Sequence, residues 1–148
     1  MGLVYGGASV GLMGTVANAA LEAGTEVIGV LPNVLSGREI AHQRLTILEV
    51  VPTMHERKMR MHALADAFIA LPGGYGTLDE MIEAVTWAQL AIHAKPCILI
   101  NTLGYWNGLL DFLDTAVNAG FLKPANRALL RVAADSDEAI ALVAAQHT

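Results

Sequence analysis

The chain has 148 residues, 54% of them apolar and 16% charged, with a formal net charge of −5. That length suits one ordinary domain, the apolar fraction excludes disorder, and no run reaches the ~18 consecutive apolar residues of a membrane span. An isoelectric point near 5.4 with scattered Lys and Arg argues against a nucleic-acid partner, which needs a basic stripe.

The elements follow in chain order. A strand over 3–5 leads into a glycine-rich turn and a helix over 11–23, with Gly24 as its C′ residue. A strand over 26–31 comes next. Residues 32–43 mix Pro, Asn, Ser, Gly and Arg and read as a surface loop. A strand over 46–50 precedes a helix over 54–65, and a strand over 67–71 precedes one over 77–91. A strand over 97–100, a helix over 106–119, a strand over 131–133 and a helix over 136–146 complete the series. Pro96, Gly120 and Pro124 punctuate the helix ends. The runs Val27-Ile28-Gly29-Val30-Leu31 and Phe68-Ile69-Ala70-Leu71 are continuously apolar, as in strands covered on both faces. Such alternation predicts an α/β fold, a Rossmann-like parallel sheet with helices on both faces, in a single domain over 1–148. The first strand enters at residue 3 and runs straight into its turn, so the beginning reads as clipped against a doubly wound sheet. No signal peptide opens the chain, and the lone Cys97 permits no intramolecular disulfide, so a cytoplasmic location is expected. Few charges on so apolar a chain point to surface hidden in an oligomer.

The sharpest segment is Leu71-Pro72-Gly73-Gly74-Tyr75-Gly76-Thr77-Leu78-Asp79-Glu80. A strand ends, glycines allow close backbone approach, and a helix N-terminus follows, an arrangement that favours an anion, above all a phosphate. The bland alternative is a tight strand-to-helix turn. Asp79 stands where a dinucleotide fingerprint would carry its last glycine, and no Walker lysine is present. Tyr5-Gly6-Gly7-Ala8-Ser9-Val10-Gly11 repeats the logic after the first strand. Parallel strands place such turns at their C-terminal ends, where open α/β folds bind ligands.

Met54-His55-Glu56-Arg57-Lys58 opens a helix, with Thr53 and Glu56 forming a capping box. Arg57 and Lys58 then lie near a helix start, where cations oppose the dipole. Either they are solvated surface charges or an anionic partner offsets the mismatch. Met59 breaks the His-Glu-x-x-His pattern, so no zinc site is expected. Thr77 and Glu80 also fit a capping box, which is one reading of Glu80; a catalytic carboxylate is the other. His55 and His62 share a helical face without a third ligand, and His42, His93 and His147 stand alone. Cys97 reads as buried rather than nucleophilic. Met54, Met59, Met61 and Trp87 read as packing residues, with an adenine-pocket lining the alternative for a methionine.

Together these motifs resemble the LOG ("lonely guy") family of cytokinin-activating enzymes. The resemblance runs through Val4-Tyr5-Gly6-Gly7, Val10-Gly11-Leu12-Met13-Gly14, Pro32, Gly37-Arg38-Glu39-Ile40, Met54-His55-Glu56-Arg57-Lys58, Pro72-Gly73-Gly74-Tyr75-Gly76-Thr77-Leu78-Asp79-Glu80, Thr86-Trp87-Ala88-Gln89-Leu90, Gly104-Tyr105-Trp106 and Gly120-Phe121, nearly the whole chain. It implies hydrolysis of a purine riboside 5′-monophosphate, AMP or a prenylated derivative, to free base and ribose 5-phosphate. By the same resemblance Arg57 and Glu80 are the catalytic pair. Glu39, Lys58, Gly73, Gly74, Tyr75, Gly76, Thr77, Leu78, Asp79 and Thr86 would contact the nucleotide. No metal or other cofactor is implied, and the expected assembly is a homodimer. The family also carries an N-terminal strand and helix, with a Cys-Gly-Ser-Ser-like loop, that this pattern lacks. A non-catalytic nucleotide- or phosphoester-binding module is the competing reading. A lysine decarboxylase, the label such proteins have borne, finds no pyridoxal-binding site in the sequence.

Overall fold

The computed structural model describes residues 1–36 and 40–146. The chain divides into two compact units, Met1–Ala65 and Asp66–Thr148, and each is an α/β layer with a three-stranded parallel sheet.

In the first unit the elements are β1 (Leu3–Tyr5), α1 (Gly11–Glu22), β2 (Val27–Pro32), α2 (Asn33–Ser36), β3 (Ile47–Val51) and α3 (Met54–Leu64). The strands lie in the order β1-β2-β3, with Leu3 opposite Val27 and Ile28 opposite Ile47. α1 packs Ala17, Ala20 and Leu21 against Leu3, Tyr5 and Val27. Because strand side chains alternate, Gly6 would send one to the opposite face, and there a Cβ would strike the guanidinium of Arg57 from α3. Helices therefore cover both faces of this sheet. The described residues on either side of 37–39 do not form the expected surface loop: Pro32 closes β2 and is buried, α2 follows, and Ala41 bridges Ala8.

The second unit comprises β4 (Phe68–Ala70), α4 (Tyr75–Gln89), β5 (Cys97–Ile100), a 3-10 turn (Thr102–Gly104), α5 (Asn107–Asn118), α6 (Pro124–Arg127), β6 (Leu130–Ala133) and α7 (Ser136–Ala144). The order is β4-β5-β6, with Ala70 opposite Leu99 and Leu99 opposite Val132. The alternation of β5 sorts the core. Cys97 and Leu99 meet Met81, Ala84 and Trp106 on one face, whereas Ile98 and Ile100 meet Ala139 and Val143 on the other. All four β5 residues are buried, and burial pushes the Cys97 thiol up to about 11, far from nucleophilic. β4 departs from the expectation of two covered faces: Ile69 is 40% exposed. Among the described residues no helix is long and apolar enough to cross a membrane.

The start of α1 shows how closely the first glycine turn is wound. A Cβ on Gly14 would overlap the backbone carbonyl of Ser9. Gly14→Ala is expected to lower the Tm, because moving that backbone costs about 1–3 kcal/mol against the roughly 1 kcal/mol that alanine gains over glycine inside a helix. Thermal unfolding followed by circular dichroism checks it, and an unchanged or raised Tm would contradict the crowding.

Candidate active site

In the first unit the turn after β1 is shaped by Gly7 (φ 78°) and Gly11 (φ 58°), left-handed conformations that glycine adopts without penalty. The Tyr5 hydroxyl donates to the Ala8 carbonyl at 2.9 Å, and burial pushes its pKa up to about 12. Ser9 N–H donates to the Ile40 carbonyl (2.7 Å) and His42 N–H to the Gly7 carbonyl (2.9 Å), stitching residues 40–42 to the turn. The helix that follows has Val10 as its N-cap, with no side-chain cap and no acidic residue in its first turn.

Arg57 belongs to this unit and is buried, at 9% exposure, which overturns the reading of it as a solvated surface charge. Its Nε donates to the Val30 carbonyl at 3.0 Å, and its guanidinium lies over Gly6. A buried cation needs bonded partners, and the strand carbonyl supplies one. Lys58 next to it is half-buried, and His55 is exposed while His62 is buried. The capping side chain of Thr53 accepts from Glu56 N–H at 3.1 Å, as expected for the start of α3. Glu39 lies outside the described residues, as do Gly37, Arg38 and His147.

His42 does not stand alone. Its Nδ1 accepts the Arg44 N–H at 3.2 Å, so Nε2 carries the proton toward Asn18 Oδ1 at 3.0 Å; Arg44 Nη2 reaches the same oxygen at 2.9 Å. These residues and Ser9 border an open cleft of about 420 Å³. Nothing in the sequence pattern foretold this group, because its members are 24 and 26 residues apart.

In the second unit the helix begins earlier than its sequence suggests. Gly74 is the N-cap of α4, and Leu78 N–H closes the first turn on the Gly74 carbonyl at 3.0 Å. Thr77 is thus the third helical residue and Glu80 lies in the second turn, so the capping-box reading of Thr77 and Glu80 fails. α7 carries a real one: Asp135 Oδ1 accepts from Glu138 N–H at 2.9 Å, and Glu138 Oε2 accepts from Ala134 N–H at 2.7 Å. By contrast α4 has no side-chain cap and no acid in its first turn. A Cβ on Gly74 or Gly76 would meet nothing within 4 Å, and neither has a positive φ. Internal packing therefore requires neither glycine. Their effect is to leave the positive end of the helix dipole and its unbonded N–H groups bare.

The other expected contacts divide. Gly73 would drive a Cβ into the Thr77 side chain, so these two pack closely. Tyr75 is 93% exposed beside the bare turn, and Asp79 is exposed. Glu80 is half-buried. Leu78 instead packs against the core cluster of Met81 and Trp106, leaving only its backbone for a ligand. Thr86 donates its hydroxyl to the Ile82 carbonyl at 2.7 Å and faces about 120° round the helix from Glu80. His93 packs its ring 5.4 Å from that of Phe68, and burial holds its pKa below the ordinary value. Tyr105 reaches the turn from another loop, its hydroxyl 2.7 Å from the Gly73 carbonyl. Sequence reasoning assigned it no role, since a lone Tyr 32 residues away gives no pattern. Among the described residues no group of three or more His, Cys, Asp or Glu is placed to hold a metal ion.

Comparison with known proteins matches the sequence to a family. A sequence profile described as "Possible lysine decarboxylase" covers residues 13–143. A cytokinin riboside 5′-monophosphate phosphoribohydrolase of Arabidopsis thaliana is 51% identical over 138 residues, 93% of this chain and 64% of that protein. One of Rhodococcoides fascians is 51% identical over 142 residues, 95% of this chain and 72% of that protein. A second Arabidopsis thaliana phosphoribohydrolase is 49% identical, with 65% of its length spanned. The chain thus spans just under two thirds of the two plant relatives. A solved structure, the molybdenum cofactor binding protein of Rippkaea orientalis, superposes with a TM-score of 0.71 at 24% identity, over 99% of this chain and 77% of that one. That likeness concerns the fold.

Proposed function

The chain belongs to the LOG family, and on that premise we propose that it hydrolyses the N-glycosidic bond of a purine riboside 5′-monophosphate. Water adds to C1′ of the ribose, the C1′–N bond breaks, and the products are free base and ribose 5-phosphate. The observation that carries the reading is the bare N-terminus of α4, with no side-chain cap, no acid in its first turn and open space around Gly74 and Gly76. A 5′-phosphate is the natural guest there, with N–H groups and helix dipole meeting its charge. Anchoring it positions the ribose for reaction through binding energy remote from the broken bond.

Glu80 follows one turn along the same helix. As the C1′–N bond stretches, the ribose acquires oxocarbenium character, which the carboxylate stabilises. The same group orients the attacking water and takes its proton. Arg57 is the second catalytic residue of the proposal. Its cationic guanidinium neutralises phosphate charge or assists the departing base, and its fixed seat on the Val30 carbonyl suits either task. Lys58, Glu39 and Thr86 complete the proposed nucleotide contacts. The chemistry draws on no metal or organic cofactor. A cytoplasmic homodimer is part of the same reading, and the exposed Phe112 and Phe121 suit a chain that hides apolar surface against a second copy.

Incubation with AMP, and separately with its isopentenyl derivative, is expected to release free base together with equimolar ribose 5-phosphate, resolved by chromatography. The faster substrate reports the base preference. Nucleotide retained intact on the protein would replace the hydrolase by a non-catalytic binding module. Pyridoxal absorbance on the purified protein, with carbon dioxide released from lysine, would instead support a decarboxylase.

A further inference from the structure

We propose that Tyr105 is a positioning residue for the phosphate turn: its hydroxyl holds the Gly73 carbonyl, and so directs the Gly74 N–H toward the bound phosphate. This deepens the reading above and rests on it for the identity of the anion. β4 and β5 are parallel neighbours with Ala70 opposite Leu99, so the segments leaving their C-terminal ends run side by side. One is the glycine turn; the other is residues 101–106.

That second segment is built against backbone preference. Leu103 adopts φ 53° and ψ 25° with its side chain fully exposed, and Gly104 follows at φ 71°. A leucine in the left-handed region gains nothing here from packing, so the rest of the loop must hold it there. Asn101 does much of this. Its N–H donates to the Ala133 carbonyl at 2.8 Å, its carbonyl accepts from Gly104 N–H at 3.1 Å, and its side chain accepts from Trp106 N–H at 2.7 Å. Trp106 is buried in the core and meets the Tyr105 ring edge-on, with centroids 4.8 Å apart. The result is one aimed group, the Tyr105 hydroxyl at 2.7 Å from the Gly73 carbonyl.

Burial does not force that bond. Tyr105 is 54% exposed, so water could satisfy its hydroxyl; the buried Tyr5 has no such freedom. In a trans peptide the carbonyl and the following N–H point in opposite directions. Fixing the Gly73 carbonyl on the tyrosine side therefore turns the Gly74 N–H the other way, away from Tyr105. Pre-aligned donors bind without the cost of ordering the turn.

Tyr105→Phe removes the hydroxyl and keeps the ring. Calorimetry with AMP, ribose 5-phosphate and adenosine is expected to show the two phosphate esters bound roughly 3–10-fold more weakly, the share of one hydrogen bond. Adenosine binding and Tm stay unchanged, and steady-state assays show KM for AMP rising more than kcat falls. Equal weakening of AMP and adenosine would mark a merely structural role and overturn the proposal, as would unchanged AMP affinity. Wild-type protein that binds AMP without cleaving it would overturn the hydrolase reading while leaving the Tyr105 comparison decisive. Wild-type protein that binds neither phosphate ester would overturn both.

Discussion

Glu80→Gln is expected to lower kcat for AMP by about 10²–10⁴-fold, the range for loss of a general acid–base group, with AMP affinity little changed. Glutamine keeps the shape of the side chain and an acceptor oxygen. It cannot offer a negative charge to the oxocarbenium centre, nor take a proton from water. Since α4 is capped at Gly74 and Glu80 lies beyond its first turn, the substitution removes no helix cap. Single-turnover base release together with calorimetric AMP binding reads both quantities. A kcat within threefold of wild type would remove Glu80 from the chemistry, and a kcat loss matched by an equal affinity loss would make it a binding residue.

Gly6→Ala is expected to cost about 10²-fold in kcat/KM while leaving the protein folded. A Cβ at position 6 would fall on the terminal guanidinium of Arg57 and 2.8 Å from Met13 Cε. Both obstacles are the far ends of long side chains, so the clash falls on side chains rather than on backbone. The side chains yield instead, and Arg57 leaves the seat fixed by its 3.0 Å bond to the Val30 carbonyl. Displacement of a reacting group by about 1 Å costs on the order of 10²-fold. The contrast with Gly14→Ala is diagnostic, because there the obstacle is the Ser9 backbone and stability suffers first. Steady-state kinetics and thermal unfolding of the two variants separate these cases. Full activity in Gly6→Ala would show that catalysis does not depend on where the Arg57 guanidinium sits.

The strands were legible because parallel strands announce themselves as short apolar runs between turn residues: all six expected strands appear within a residue or two of their expected ends. Helix bodies were legible too, but the start of α4 was not. Thr77 and Glu80 match a capping box locally, yet Gly74 is the cap, and the helix starts at Tyr75, two residues before the expected start. Glycine at a cap leaves no side-chain signature, so the local rule favoured Thr77 over Gly74. Arg57 was legible as a chemical candidate and illegible as a buried one, since its burial depends on a vacancy at Gly6, 51 positions earlier in the chain.

What the sequence by itself determined is the α/β class, the two glycine turns and the family. These rest on periodicity, residue type and motif spacing, which are local properties of the chain or of its pattern as a whole. Only the tertiary structure decided which polar groups meet. It put Arg57 on the Val30 carbonyl over Gly6, joined His42 to Asn18 and Arg44, and brought Tyr105 to Gly73. Such pairings form where parallel strands bring distant loops side by side, and a contact between residues 24 to 51 apart leaves no periodic trace in either partner.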